Sequence, residues 1–518
     1  MKLNGYEDVT AKGELGARCA LLSARLEAPI YRPDVIFGIE SAGWPGDWEG
    51  RTVLALTCLC KATGREPSYL DEIVSLLPSH LNGSGYLGPV RDKLDEQQLS
   101  GHSWLLRGLC EYYEYRKEEY VLDLIDGIVR CLFFQAIGKY ETYPVTPDKR
   151  GGGDMSGNIA SETDDWYLST DTGCAYIPLD GLTHAYGVLS EYSPDRSRDE
   201  ALAGLIDGMI KLFVKIPFLK IKLQTHATLT ACRGILRRYS QTGDKDLLYE
   251  VKRIFGIYTE HGMTPTYANE NWFGRPEWTE PCAIIDSFIV ASQLYAYTED
   301  TEYASLSQLI LYNGVYQGQR NNGGFGCDTC AGDGILSQHC PEAYWCCTMR
   351  GGEGLAAAAA YSVTPEGVIV NPVSGVYTVN GRKLTVVSDY PHGSKATLRL
   401  EGGGKLYLVF LPWLKRVKSD ALKTCDGYYI HIDMPDDEPV EFEIECDIRH
   451  DEAGGGSRVY DGPLMLGCAD TDAEIYTDDV MKKDGKYICG GHELVTLDRA
   501  YLRGAKPLRV IFKSREPI

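Results

Sequence analysis

The sequence is short of positive charge and has no apolar run long enough to span a bilayer. Lys and Arg number 52 against 73 Asp and Glu, a formal net charge of −21. Nucleic-acid binding needs clustered Lys and Arg against the phosphates, so no nucleic-acid partner is expected. The longest apolar stretches, Val121–Ala136 and Leu355–Tyr361, are interrupted or short, so no membrane partner is expected either. Met1–Thr10 lacks the apolar core of a secretory signal, and a cytoplasmic location is expected. A disulfide framework is also missing. The 17 cysteines are odd in number, and Cys58, Cys60, Cys110, Cys131 and Cys232 fall inside helical patterns, where thiols act as small core hydrophobes. Gly151–Gly153 has neither the Lys nor the strand–helix frame of a phosphate loop.

Helical periodicity is abundant. Apolar residues at helical spacing run through residues 11–27 and through Arg51–Ala62, Leu70–Leu77, Gln98–Tyr115, Tyr120–Phe134, Cys174–Tyr192, Glu200–Val214, His226–Tyr239, Lys245–His261, Cys282–Tyr297 and Tyr303–Tyr316, with a further helix within Tyr344–Tyr361. Turns such as Gly243-Asp244 join them in pairs, which predicts an α/α toroid or barrel over residues 1–362. Residues 141–173, holding Asp164, Asp165 and Trp166, and residues 323–334 read as long Gly-rich loops. From Val368 the pattern changes to short β-branched and aromatic runs with Gly, Pro, Asn and Asp between them. This is the pattern of an antiparallel β-sandwich over 363–450. Residues 451–518 read either as a β-rich extension of the sandwich or as a return to the barrel.

Four residues carry the chemistry. Glu280 and Cys282 stand just ahead of a helix, and Cys346 and Cys347 at or before the first turn of another. Three sulfurs and one carboxylate suit a tetrahedral zinc centre, and exposed N–H groups at helix starts favour anions. A second soft-donor set, Cys327, Cys330, His339 and Cys340, has the spacing of a small zinc knuckle or a redox pair, and it remains open beside a loop of inert thiols. A metal-bound cysteine stays ionised at neutral pH and can attack an electrophilic carbon. A carboxylic acid must then protonate the leaving group. Glu270, near Trp272 and Trp278, is the first candidate, and Glu277 the second. Asp47, Trp48 and Glu49 open a helix. They either complement its positive end or form a polar–aromatic patch at a pocket mouth.

Trp48-Glu49-Gly50, Gly101-His102, Thr225-His226-Ala227, Thr242-Gly243-Asp244, Glu280-x-Cys282-Ala283 and Cys346-Cys347 occur in the order found in the β-L-arabinofuranosidases of glycoside hydrolase family 127, and the chain resembles that family over roughly residues 15–450. The resemblance implies an (α/α)6 barrel with β-sandwich material attached. It also implies Zn2+ held by Glu280, Cys282, Cys346 and Cys347, with Cys346 as nucleophile of a retaining glycoside hydrolase. It makes His102 and His226 substrate contacts, carbohydrate the partner and a homodimer a candidate assembly. The sequence departs from the family where Thr348-Met349-Arg350-Gly351 replaces prolines after the cysteine pair, and where Glu270 stands nearer to Glu280 than the family acid does. Two alternatives stay open: a carbohydrate-binding protein with a structural zinc, and a hydrolase or lyase acting through zinc-bound water.

Overall fold

The computed structural model describes residues 1–38, 43–147, 150, 157–483, 485–500 and 507–513; the Gly151–Gly153 stretch lies outside them. Twelve helices of ten or more residues lie among the described residues, in six antiparallel pairs. They are α1 (Gly13–Leu26), α2 (Asp47–Thr63), α3 (Leu70–His80), α4 (Glu96–Arg116), α5 (Glu119–Cys131), α6 (Pro178–Tyr192), α7 (Arg196–Phe213), α8 (Thr225–Thr242), α9 (Lys245–His261), α10 (Pro281–Thr298), α11 (Thr301–Ile310) and α12 (Cys347–Ala360). Helices α2, α4, α6, α8, α10 and α12 pack side by side in that order, and α12 packs back on α2, which closes the inner ring of an α/α barrel.

Sequence decides which helices are inner. Outer helix α5 buries one stripe, Val121, Leu122, Ile125, Ile128 and Val129, at the spacing of a single apolar face. Burying each of these side chains stabilises the fold by about 1.5–3 kcal/mol, and a charge at Ile125 would break the pairing. Inner helix α4 is buried continuously from Glu96 to Tyr113, polar residues included. Neighbouring inner helices approach closely through glycine. A Cβ on Gly50 of α2 would lie 2.2 Å from the backbone nitrogen of Leu105 in α4, and one on Gly234 of α8 would lie 2.4 Å from Leu179 of α6. Hairpin turns follow helix-capping chemistry. Gly243 ends α8 with φ of 72°, and the Asp244 carboxylate accepts from the Asp246 N–H at the start of α9.

Among the described residues the β-rich part holds three sheets. One has the order Val9–Ala11, Gly375–Val379, Arg382–Ser388, Lys395–Leu400, Val440–Cys446 and Leu414–Lys418. A second has Leu422–Cys425, Tyr429–Met434, Gly404–Val409 and Val368–Ile369. The first strand of the chain thus belongs to the sandwich, with Val9 opposite Tyr377. The third sheet runs from Ile448–Ala453 at one edge to Met481–Lys483 at the other, and its Leu508–Arg509 strand pairs with Ile335–Leu336 in the segment ahead of α12. The C-terminal region therefore both extends the β layers and returns to the barrel.

The stretch 141–173 is not all loop. Ile159–Glu162 and Trp166–Ser169 form a hairpin that pairs with Leu94–Asp95. Trp166 is fully buried, edge-on to Tyr140 and Tyr143. Among the described residues no helix is long and apolar enough to cross a membrane.

Candidate metal centre and active-site cavity

Four inner helices begin at one end of the barrel, and their first turns carry the site. Asp47, Trp48 and Arg51 belong to the start of α2, His226 to α8, Glu280 and Cys282 to α10, and Cys346 and Cys347 to α12. Pro281 at the first position of α10 is pre-set for helix and has no N–H to leave unpaired. These starts face a cavity of about 830 Å³, whose wall includes seven of those residues, all but the fully buried Cys282, together with Trp44, Asp171, Gln224, Asn271, Trp278 and Trp345.

The sulfurs of Cys282, Cys346 and Cys347 all lie within 4.8 Å of one another. Cys282 Sγ is 3.5 Å from Cys347 Sγ, which is 3.4 Å from Cys346 Sγ. A tetrahedral ion with metal–sulfur bonds of ~2.3 Å has ligand edges of roughly 3.8 Å, so this spacing suits zinc. Glu280 joins from a second group, in which its carboxylate, His226 and Cys282 are also mutually within 4.8 Å. The two groups share Cys282. The thiol, carboxylate and imidazole set fits a thiophilic ion such as zinc.

Charges around the sulfurs are arranged to favour anions. Arg51 Nη1 lies 3.4 Å from Cys282 Sγ, while its Nε donates to Asp47 Oδ1 at 2.8 Å. Burial acts to raise the Cys282 thiol. Contacts with the Cys346 and Cys347 thiols and the charges of Arg51 and His226 outweigh it and hold Cys282 well below the ordinary thiol range. Its two neighbours are pushed the other way, Cys346 chiefly by sharing a proton with Cys282 and Cys347 chiefly by burial. These surroundings favour negative charge on Cys282 over its two neighbours, and a divalent cation would favour the ionised form of all three.

His226 braces the carboxylate. Its Nδ1 is 3.2 Å from Glu280 Oε1, and its Nε2 is 3.5 Å from Asp286 Oδ2. Burial opposes charge on this ring, but Glu280, Cys282 and Asp286 outweigh it and raise its pKa. Gln224 Nε2 donates to Asp171 Oδ1 at 3.0 Å and lies 3.5 Å from Glu280 Oε2. Trp104 stacks parallel to His226, with ring centroids 5.8 Å apart, and carries the guanidinium of Arg51 over its ring at 4.4 Å.

Other residues singled out in the sequence stand elsewhere. His102 does not line the cavity. Its Nδ1 pairs with Gln98 O at 2.8 Å, its Nε2 accepts from Leu87 N at 3.0 Å, and burial pushes its pKa down to about 4. Both ring nitrogens are spent on backbone, so a substrate contact is corrected to a structural role. Glu49 is buried off the cavity wall, and burial lifts its pKa to about 7. Trp272 is fully buried behind Trp278, which it meets edge-on. The Glu270 carboxylate accepts from Gly274 N at 2.9 Å and is absent from the cavity wall, as is Glu277, which pairs with Arg275. Neither faces the sulfurs from that wall.

The second soft-donor set is divided. Cys327, His339 and Cys340 line the cavity, whereas Cys330 points to Asn269 O. Among the described residues these four supply no group of three within 4.8 Å, so a closed knuckle is not formed. Arg51, Asp171, Gln224, Asn271 and Trp345 escaped the sequence reading. Of these Arg51, Gln224 and Trp345 directly adjoin recognised motifs, Trp48-Glu49-Gly50, Thr225-His226-Ala227 and Cys346-Cys347.

No protein-family profile and no curated protein matches the sequence. Solved structures do. A protein described as a glycoside hydrolase superposes with a TM-score of 0.70 at 14% identity, covering 100% of this chain and 98% of its own. A GH127 β-arabinofuranosidase gives a TM-score of 0.70 at 13% identity, with 99% and 97% covered. A GH127 β-L-arabinofuranosidase from Geobacillus stearothermophilus T6 gives 0.68 at 14% identity, with 98% and 100% covered. Over essentially its whole length, then, this chain has the fold of the glycoside hydrolase family 127 β-L-arabinofuranosidases.

Proposed function

We propose that the protein is a retaining glycoside hydrolase that uses Cys346 as nucleophile on a substrate of the β-L-arabinofuranoside type. One observation carries the reading: three cysteine sulfurs from two helix starts meet, with Glu280 alongside, at a cavity walled by tryptophan. Zinc held by Glu280, Cys282, Cys346 and Cys347 would keep the sulfurs ionised at neutral pH and fix their direction. The Cys346 sulfur attacks the anomeric carbon, the glycosidic C–O bond breaks, and the leaving oxygen takes a proton from a cavity carboxylic acid. Water then attacks the same carbon and gives its proton to that carboxylate. The C–S bond breaks, and the sugar leaves with retained configuration.

Asp47 fits the acid/base role better than Glu270. It lines the cavity, burial raises its pKa in spite of Arg51, and one guanidinium separates it from Cys282. Asp171 also lines the cavity, but both its oxygens accept N–H bonds, from Gln224 and Gly157, and these favour the charged form.

The test combines zinc analysis with turnover of nitrophenyl glycosides, starting with the β-L-arabinofuranoside. Expected are one zinc per chain, hydrolysis, and a pentosyl adduct on the peptide that contains Cys346. Asp47→Asn is expected to lose about 10²–10⁴-fold in rate on alkyl glycosides while keeping a fast first burst of dinitrophenolate from dinitrophenyl glycosides, whose leaving group needs no acid; the water step, which needs the same carboxylate as base, stays slow. A competing reading, a zinc-holding carbohydrate-binding protein, draws on the turn of Glu270 away from the cavity. Tight sugar binding with no turnover of any activated glycoside would select it.

A further inference from the structure

The reaction above leaves the aromatic part of the cavity wall without a task. Trp345 directly precedes Cys346, lines the cavity and keeps 47% of its surface exposed. Its orientation is supported from behind. Tyr344 meets it edge-on, with centroids 4.9 Å apart and planes at 85°, and Tyr344 in turn packs against Trp48 at 6.1 Å. Elsewhere on the wall Trp278 and His339 lie parallel, 5.3 Å apart with planes 6° from coincidence, and buried Trp272 wedges against Trp278 at 84°. Trp345, Trp278 and His339 all border the same cavity as Cys346 and Cys347. Large rings held at fixed angles but left uncovered are built to be covered by something flat, since aromatic faces gain by stacking on other rings and on apolar C–H faces.

The chemistry says which part of a substrate that is. In a displacement at the anomeric carbon, the leaving group departs on the side opposite the attacking sulfur. Cys346 is half-buried at the start of α12, while Trp345 and His339 are exposed. A leaving group that exits toward solvent passes these rings.

We propose that Trp345, together with the Trp278–His339 pair, forms a leaving-group platform that selects glycosides whose aglycone is a ring with a flat apolar face. Two sources share that chemistry: an aromatic aglycone and the C–H face of a pyranose. The proposal rests on the hydrolase reading above, and its test is chosen to fail separately.

The readout is binding to the zinc-loaded full chain, followed by tryptophan fluorescence, using arabinofuranosyl thioglycosides that resist turnover. Three probes differ only in the aglycone: methyl, phenyl and a thio-linked pyranose. The wild type is expected to bind the phenyl probe about tenfold more tightly than the methyl one, the size of one good stacking contact. Trp345→Ala is expected to erase that ratio, and Trp345→Phe to keep most of it. Trp345 is exposed, so the variants should fold, and an unchanged melting temperature checks this. A ratio near one in the wild type, or one that survives Trp345→Ala, overturns the platform. Tighter binding of the thio-linked pyranose as well assigns the platform to saccharides. Tighter binding of the phenyl probe alone assigns it to aryl glycosides. A ratio that depends on Trp345 in a protein that hydrolyses no glycoside would sink the hydrolase reading and leave the platform standing.

Discussion

Two polar clusters lie inside the barrel, and they differ in one respect. Arg107, Arg233 and Arg350 meet Asp180, Asp286 and Glu353 in a fully buried network: Arg107 Nη2 to Glu353 Oε1 at 2.7 Å, Arg233 Nη1 to Asp286 Oδ1 at 2.6 Å, and Arg350 Nη2 to the same oxygen at 2.6 Å. Arg237 adds a further bond to Asp180 at 2.5 Å. Each carboxylate faces at least two guanidiniums, so the network needs nothing from outside. Beside it, the cavity cluster brings together three sulfurs and the carboxylates of Glu280 and Asp47, and among the described residues Arg51 and His226 oppose them. That set of soft and anionic donors could hold a cation such as zinc. Burial of polar groups is common to both clusters; the unbalanced donor set distinguishes the one that could hold a metal.

The contrast can be broken experimentally. The largest effect is expected from Cys282→Ser, which removes the sulfur shared by both donor groups. Zinc content should fall to background by metal analysis and turnover should vanish, while the barrel network keeps the chain folded by circular dichroism. Glu353→Gln should do the reverse. It leaves three guanidiniums short of a partner, which costs about 3–5 kcal/mol in urea unfolding, yet zinc binds the folded fraction normally. Burial acts to raise Glu353, but Arg233, Arg350 and Arg107 outweigh it and hold its pKa far below the usual range. Its contribution is therefore complete above ~4.3 and is lost only as pH falls through that depressed value.

The two buried histidines of the inner helices, His102 in the second turn of α4 and His226 in the first turn of α8, sharpen the comparison further. His102 is buried neutral, with its pKa lowered to about 4. Its share of stability is whole above ~6.5 and is lost as pH falls from there to 4, a change of roughly 3 kcal/mol. His102→Gln should flatten that part of the pH–stability curve and leave zinc affinity alone. The smallest effect is expected at His226, which touches Glu280 without a ligand role of its own in the four-donor set. His226→Gln should weaken zinc about 10–100-fold in chelator competition while stability of the metal-free protein changes little.

Much of this was legible in the sequence because helix starts announce themselves. Pro281 beside Glu280 and Cys282, and the adjacent Cys346-Cys347, mark two such starts, and the alternating hairpins mark the barrel. His102 misled because its sequence setting matches that of His226; the difference is Leu87, whose N–H reaches the ring from a loop. Glu270 misled for a similar reason, since a four-residue turn to Gly274 captures its carboxylate. The 159–169 hairpin was hidden by Gly-rich flanks, and Trp345 by the absence of any periodic signal at a single exposed ring.

The short strand Val9–Ala11 is translated before any helix of the barrel, yet its partner strand is Gly375–Val379. On the ribosome this strand must wait, unpaired, until the whole helical ring has emerged. The sandwich can close only around a leading segment held in reserve, and deleting that segment would leave an open sheet margin ready to recruit another chain.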